Sequence, residues 1–216
     1  MSDLRVFCLK GTVPQMYQAG YVVAKEGKAL CIDAAFAPTQ LKALLEREGL
    51  VASSLLLTHA HFDHSVQVVP LQKELGLRVY GSEQANMMVT SGAWLGFRRM
   101  QPWQIEDTLH HGEELEIDGF HVRVLATPGH TVDSLCFVVD DRLLFTGDTI
   151  LPPTHGRTDL PTGDFAALVE SARLLSTLPD SLAVLAGHAD TFGLLDLASL
   201  PTLGSQKRRN ELFYYR

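Results

Sequence analysis

The chain has 216 residues, 46% of them hydrophobic, and a formal net charge of -7 at pH 7. A chain of this length can bury one sizeable core, so we expect a single domain over residues 1–216. The acidic balance argues against a nucleic-acid partner, because such surfaces gain affinity by neutralising phosphates with lysine and arginine. A small-molecule substrate fits this composition better.

The sequence offers no membrane partner and no secretory signal. No run approaches the roughly 18 consecutive apolar residues of a membrane-spanning helix, and the first ten residues follow a strand pattern. We therefore expect a cytoplasmic protein and leave open whether it forms a homo-oligomer. Cys8, Cys31 and Cys136 lie in apolar stretches without zinc-site spacing, which predicts buried thiols.

Strands and covering helices alternate along both halves of the predicted fold. In the first half we predict strands at 5–10, 18–24, 28–32 and 54–58, with helices at 39–48, 64–75 and 82–89. In the second half we predict strands at 114–117, 120–126, 135–139, 143–145 and 182–186, with a helix at 164–175 capped by Asp164. This order is typical of two mixed sheets packed face to face with helices outside.

The strand at 54–58 runs directly into a cluster of metal-binding side chains. His59 and His61 project to the same side of an extended chain, and the turn into the next helix can bring Asp63 and His64 to a neighbouring point. Three further candidates, His130, Asp148 and His188, each follow an apolar strand and a glycine. Seven imidazole and carboxylate ligands exceed what one tetrahedral site uses, so the sequence predicts two metals.

These motifs resemble those of the metallo-β-lactamase fold superfamily, and within it the glyoxalase II-like hydroxyacylglutathione hydrolases. The similarity rests on the HxHxDH run, Pro128-Gly129-His130-Thr131, Gly147-Asp148-Thr149 and Gly187-His188. It implies a four-layer αββα sandwich, in the α/β (α+β) class, with the metal site at one edge. It also implies one metal on His59, His61 and His130 and a second on Asp63, His64 and His188, with Asp148 bridging.

The resemblance further implies a metal-dependent hydrolase that cleaves a small thioester, such as a glutathione conjugate, by a metal-bridging hydroxide. Zinc is the expected metal, with iron and manganese as alternatives. We assign Asp63 a catalytic role in orienting the nucleophile or moving its proton. Arg157, in a Gly156-Arg157-Thr158-Asp159 stretch similar to the family's, is the expected substrate-binding residue; a structural ion pair with Asp159 is the alternative.

Other activities stay open on the same residues. A related branch, the persulfide dioxygenases, would use a single Fe(II) on His59, His130 and Asp148. Asp148 stands where common zinc β-lactamases have a cysteine, which disfavours an antibiotic hydrolase. Lactone or phosphodiester hydrolysis, and a non-catalytic metal-binding module, are the remaining alternatives.

Several residues outside the motif have two competing interpretations. Asp33 is a candidate partner for the second ring nitrogen of a ligand histidine, against a simple turn carboxylate. The bulky residues at 94, 97, 100 and 103 predict either a lid over the site or ordinary packing. His155 is expected either to line the pocket or to be solvated.

The C-terminal part of the chain has two further features. The tail at 203–210 predicts a helix whose basic residues either reach the substrate or face solvent, and 194–200 is an extra segment relative to the family pattern.

Overall fold

The computed structural model describes residues 4–93 and 102–215. Its strands are β1 Arg5–Lys10, β2 Ala19–Lys25, β3 Lys28–Ile32, β4 Val51–Leu56, β5 Arg78–Ser82, β6 Asp107–Leu109, β7 Glu114–Ile117, β8 Phe120–Ala126, β9 Leu135–Val139, β10 Leu143–Gly147, β11 Ala183–Ala186 and β12 Gly193–Leu194. Its helices are α1 Pro38–Glu48, α2 Phe62–Ser65, α3 Val68–Leu75, α4 Gln84–Ser91, α5 Phe165–Ser176 and α6 Leu203–Arg209, followed by a 3-10 helix, Glu211–Tyr214.

The strands form two mixed sheets. The first has seven strands in the order β12-β1-β2-β3-β4-β5-β6, and the second has five in the order β11-β10-β9-β8-β7. Pairing is parallel from β3 through β6 and between β10 and β11, and antiparallel elsewhere. Parallel pairing from β3 to β5 follows from the crossover helices α1 and α3, which return the chain to the same edge.

Alternation along the strands divides the core between three interfaces. Val6 and Val23 point into the space between the sheets, where they meet Phe137 and Phe145 of the second sheet. Their neighbours on β1 and β2 point to the opposite face and pack against α1, α3 and α4. On the outer face of the second sheet, Val138 and Leu144 pack with residues of α5 and α6. The four-layer αββα sandwich is confirmed.

Local signals explain where the two longest helices begin and end. α1 begins with Pro38, whose fixed φ suits the first helical turn, and ends at Gly49 in the left-handed conformation. Asp164 caps α5 as predicted, because its Oδ1 accepts a hydrogen bond from Ala167 N at 3.0 Å.

The predicted helix at 64–75 is wrong as a single element. The structure has two helices there, α2 and α3, interrupted at Val66 and Gln67. The amide of Gln67 donates to Ala34 O at 3.0 Å, and Pro70 in the first turn of α3 has no amide to continue the α2 ladder. Strands β5, β6 and β12 were not predicted. None of the helices in the described ranges has the length and apolar composition needed to cross a bilayer.

Candidate metal centre

The candidate metal ligands lie where strands of both sheets end at the same edge of the sandwich. His59 and His61 follow β4 of the first sheet, while His130, Asp148 and His188 follow β8, β10 and β11 of the second. Hydrogen bonds between the strand ends fix this meeting point. The amide of Leu135 donates to Thr58 O at 2.7 Å, and the amide of Gly187 donates to Gly147 O at 2.7 Å.

Glycine allows the chain to pass through this crowded edge. Gly147 has a φ of +47°, and a Cβ added there would lie 2.6 Å from Thr58 Oγ1. A Cβ on Gly187 would lie 2.3 Å from Asp148 Oδ1. At both positions the backbone comes so close to its neighbours that only a residue without a side chain fits.

The seven side chains form overlapping groups of donor atoms. Within each group these atoms lie no more than 4.8 Å apart, and the groups are His59, His61 and His130; His59, His64 and Asp148; and Asp63, His64 and His188. The first and third groups consist of the same residues as the two ligand sets that the family resemblance implies; that each set binds a metal stays a prediction.

Asp148 lies between the two sets. Its Oδ2 is 3.5 Å from His130 Nε2 and 3.2 Å from His188 Nε2, and its Oδ1 is 3.5 Å from His64 Nε2. A single carboxylate therefore faces imidazoles of both sets.

The donor geometry suits cations better than direct contact between the side chains. His61 Nδ1 lies 2.9 Å from His130 Nε2, and His64 Nε2 lies 3.4 Å from His188 Nε2, so ring nitrogens face one another. His59 Nε2 and His61 Nε2 are buried without a hydrogen-bond partner among the described residues. Buried polar atoms are normally paired, and imidazole nitrogens with carboxylate oxygens form a usual ligand set for divalent metals. The fold and this cluster together imply divalent metal ions.

Electrostatics favours the ligand forms of His59, His61 and Asp148 but the protonated form of His64. Burial and the neighbouring histidines lower the pKa of His59 well below its usual range and that of His61 to about 3, which keeps both rings neutral. Burial raises the pKa of Asp148, but His64 and His188 outweigh it and hold the pKa well below the ordinary value. Burial likewise lowers the pKa of His64, yet Asp63, Asp148 and Asp33 raise it overall, to about 10. A cation bound at His64 therefore displaces a proton.

Asp33 makes the predicted contact with a candidate ligand. Its Oδ2 lies 3.2 Å from His64 Nδ1, and its Oδ1 accepts hydrogen bonds from the amide and hydroxyl of Thr58 at 2.8 and 3.0 Å. Asp33 is 1% exposed and adopts a φ of +59° just after β3. It thereby orients the imidazole of His64 and ties the end of β4 to β3.

Two buried residues that hold the HxH segment escaped the sequence analysis. The amide of Ala60, between His59 and His61, donates to Asp133 Oδ2 at 2.7 Å, and its carbonyl accepts from Ser65 Oγ at 2.9 Å. Burial raises the pKa of Asp133 to about 6, although hydrogen bonds from Thr131 and the Ala60 amide act in the opposite direction. A carboxylate three residues after His130 and a serine directly after His64 were the available signals.

Main-chain carbonyls orient two further histidines. His130 Nδ1 donates to Arg157 O at 2.7 Å, and His188 Nδ1 donates to Met16 O at 2.7 Å. These contacts leave Nε2 of each ring directed at Asp148. Such partners have no side-chain signature, so no sequence pattern could have shown them.

The side chain of Arg157 lies outside the cluster. It is 62% exposed and makes two hydrogen bonds of 2.6 Å to Asp159, as the ion-pair alternative predicted. His155 is partly buried; its Nδ1 donates to Gly156 O at 2.8 Å, and its ring packs near Phe165.

The other described residues from the sequence analysis make contacts that hold the fold together. Trp103 is 4% exposed and packs in the core beneath the first sheet, whereas Trp94, Phe97 and Met100 lie outside the described residues. Lys207 of the predicted tail helix donates to Leu178 O and Asp180 Oδ1 at 2.7 and 2.6 Å, which ties α6 to the fold. All three cysteines are buried and free, as predicted.

The chain is similar to members of one protein superfamily. The family model described as the metallo-beta-lactamase superfamily matches residues 14–188. The hydroxyacylglutathione hydrolase GloC of Haemophilus influenzae is 31% identical over 193 residues, which cover 86% of this chain and 87% of that protein.

Solved structures share the fold over nearly the whole chain. BLEG-1, a B3 metallo-beta-lactamase, is 26% identical with a TM-score of 0.79 and 99% coverage of both chains. ETHE1 from Myxococcus xanthus is 26% identical with a TM-score of 0.73, covering 96% of this chain and 87% of that one. TTHA1623, solved in a di-iron-bound form, is 31% identical with a TM-score of 0.75, covering 94% and 98%.

Proposed function

The chain belongs to the metallo-beta-lactamase superfamily, and from this premise we propose that it is a metal-dependent hydrolase of small thioesters such as hydroxyacylglutathiones. The observation that carries the proposal is the convergence of seven imidazole and carboxylate donors from four strand ends. The 31% identity with a hydroxyacylglutathione hydrolase over most of both chains supports the thioester as substrate.

The proposed ligand sets follow the donor groups. His59, His61 and His130 would hold one divalent ion and Asp63, His64 and His188 a second, and Asp148 would be a ligand between the two sets. Such ions supply Lewis-acid activation of a carbonyl and lower the pKa of water from about 15.7 to roughly 7. Zinc is our first choice, and the di-iron form of TTHA1623 keeps iron as an alternative.

Asp63 is the residue we assign to proton handling. Its Oδ2 lies 3.5 Å from His64 Nε2 and 3.7 Å from His188 Nε2, and the residue is 5% exposed. From this position the carboxylate orients a nucleophilic water and accepts its proton. The leaving thiolate needs little protonation, because free thiols have a pKa of about 8.5.

Arg157 is proposed to bind a substrate carboxylate. Its present partner, Asp159, is 67% exposed and the arginine 62%, and water screens an ion pair in such a position, so the pair contributes little to stability. A substrate carboxylate can therefore replace Asp159 at small cost. The carbonyl of Arg157 holds His130, so a substrate bound by this residue lies close to the candidate centre.

A panel of substrates tests the proposal. Metal-loaded protein is assayed with S-lactoylglutathione, an acyl-lactone, a phosphodiester and a cephalosporin, the last because of the likeness to BLEG-1. We expect S-lactoylglutathione to give the highest kcat/KM. Absence of thioester hydrolysis beside clear turnover of another substrate would overturn the proposal.

A persulfide dioxygenase is the second candidate function. It would use His59, His130 and Asp148 as a two-histidine, one-carboxylate set for a single iron, and the likeness to ETHE1 from Myxococcus xanthus is consistent with it. Metal analysis of protein purified without added metal, with oxygen uptake on glutathione persulfide, separates the two. About one iron per chain with rapid uptake would favour the dioxygenase.

A further inference from the structure

A pocket of about 510 Å³ lies beside the candidate metal centre, at the open edge between the two sheets. Cys8 and Tyr21 of the first sheet form one wall, and Leu185 and Ala186 of β11 form the other. The roof comes from residues 189–201, which contain the extra segment 194–200. The volume falls within the roughly 300–1,000 Å³ typical of small-molecule sites.

The interior of the pocket is mainly apolar. Leu195 and Leu200 are partly buried and pack against the core between the sheets. The hydroxyl of Tyr21 is already satisfied, because it donates to Ala186 O at 2.7 Å. An occupant therefore gains chiefly by burying its own apolar surface.

The charges around the pocket select against anions. Asp190 and Asp196 line it, and in the part of the chain that the structure describes no lysine or arginine does so. Arg209 lines a neighbouring groove beyond Pro201. A carboxylate among these side chains would meet charges of its own sign and no lysine or arginine. Burying any charged group in the apolar interior is costly, so the favoured occupant is neutral.

We propose that this pocket is a second ligand site, which binds a neutral, mainly apolar small molecule and is coupled to the metal centre through His188. That residue lines the pocket, while its Nε2 lies 3.2 Å from Asp148 Oδ2. A ligand that shifts the chain at His188 and Ala189 moves one donor of the centre. Coupling between two binding sites is reciprocal, so metal binding changes the affinity of the pocket by the same factor.

Two probe molecules with eight carbon atoms each, one neutral and one anionic, test the chemistry of the site. We expect 1-octanol to bind the protein in isothermal titration calorimetry. With metal removed, so that no carboxylate–metal contact contributes, we expect octanoate to bind about ten-fold more weakly than octanol or not at all. Equal affinity for both probes, or no binding of octanol, would overturn the proposal.

Matched variants locate the binding. Leu200→Trp fills the pocket and should abolish octanol binding, whereas Val51→Trp, at a position 71% exposed on β4 and outside the lining, should leave it unchanged. Asp196→Asn removes a charge while its amide oxygen can still accept from Ala198 N, as the carboxylate does at 3.1 Å. In this variant the difference in affinity between octanol and octanoate should become smaller. An unchanged difference would contradict the proposal that the aspartates select against anions.

The coupling is tested without turnover. Zn²⁺ affinity is measured with and without saturating octanol, and octanol affinity with and without Zn²⁺. We expect both pairs to change by one common factor, and identical affinities within each pair would exclude coupling. Since neither measurement involves a substrate, failure of this site and failure of the hydrolase proposal are distinguishable.

Discussion

We propose two roles for Asp63, as a metal ligand and as the acceptor of a proton from water, and a substitution can separate them. Asp63→Asn keeps the size of the side chain and one oxygen but removes the charge that accepts a proton. We expect kcat on a thioester to fall about 10²- to 10⁴-fold, the usual contribution of general acid–base catalysis.

Metal analysis of the same variant provides the control. Near wild-type turnover by Asp63→Asn with metals bound would show that Asp63 does not handle the proton. Loss of one metal together with activity would instead assign the residue to the second ligand set alone.

Asp133 provides a pH-dependent prediction. Its pKa is raised by burial to about 6 in the folded chain from an ordinary value of 3.8, so the folded state binds its proton more tightly than the unfolded state. The resulting stabilisation is complete below about pH 3.8 and is lost as pH rises through about 6. We expect Asp133→Asn, which cannot ionise, to lack this decline.

The test compares urea unfolding of wild type and Asp133→Asn between pH 4 and 7. The difference in unfolding free energy should change in favour of the variant as pH rises. A constant difference across this range would contradict the raised pKa. Since the asparagine oxygen can still accept from Ala60 N, the hydrogen bond that holds the HxH segment is preserved in the comparison.

At the scale of elements, one arrangement recurs: a strand ends, and a glycine and then a candidate metal ligand follow. Gly187→Ala places a methyl group 2.3 Å from Asp148 Oδ1 and 2.7 Å from His64 Cε1, so these side chains must move. We expect Zn²⁺ affinity to fall at least ten-fold, measured by competition with a chelating dye.

Gly76→Ala is the matched control for that variant. Gly76 has a φ of +68° with nothing near its added Cβ, so alanine there should cost about 1–2 kcal/mol of stability and leave metal binding intact. Equal metal affinity in both variants would mean that the close approach at Gly187 does not position the ligands.

The elements that sequence predicted well have local signals. Pro38 and Gly49 bound α1, and Asp164 caps α5, so neighbouring residues alone define these helices. β12, in contrast, has two residues and exists because Gly193 and Leu194 pair with β1, which lies far away in sequence. β5 and β6 are five and three residues long and depend on parallel partners.

The candidate site also has a part that sequence patterns predict and a part that appears only in the folded structure. Its seven side chains follow apolar strands and are visible as motifs, whereas the carbonyls of Met16 and Arg157 are found only once the fold brings them to His188 and His130. Asp133 and Ser65 lay next to the motifs but outside any metal-ligand spacing.

On the scale of the whole molecule, the centre joins the two sheets. His59, His61, Asp63 and His64 follow β4 of the first sheet, and the other three donors follow strands of the second. Bound ions should therefore stabilise the packing of one sheet on the other, since ligands that bind only the folded state add free energy by mass action.

Removal of metal tests this link. At a free metal concentration of 100 times Kd, the expected contribution is about 2.7 kcal/mol, so a chelator should lower Tm and added Zn²⁺ should restore it. Thermal unfolding followed by circular dichroism measures the effect. The same Tm in chelator and in Zn²⁺ would mean that the described cluster binds no metal tightly.

The short strand β12 has a consequence for solubility. Its pairs with β1 are Phe7 with Leu194 and Cys8 with Gly193, and the amide of Leu195 donates to Val6 O. These contacts occupy hydrogen-bonding groups on the outer side of β1 over residues 6–8. Free strand edges of this kind recruit strands from other molecules and begin aggregation. The residues that roof the pocket thus also shield the sheet from its own copies, and a chain shortened across 190–200 should precipitate at concentrations where the intact chain remains dispersed.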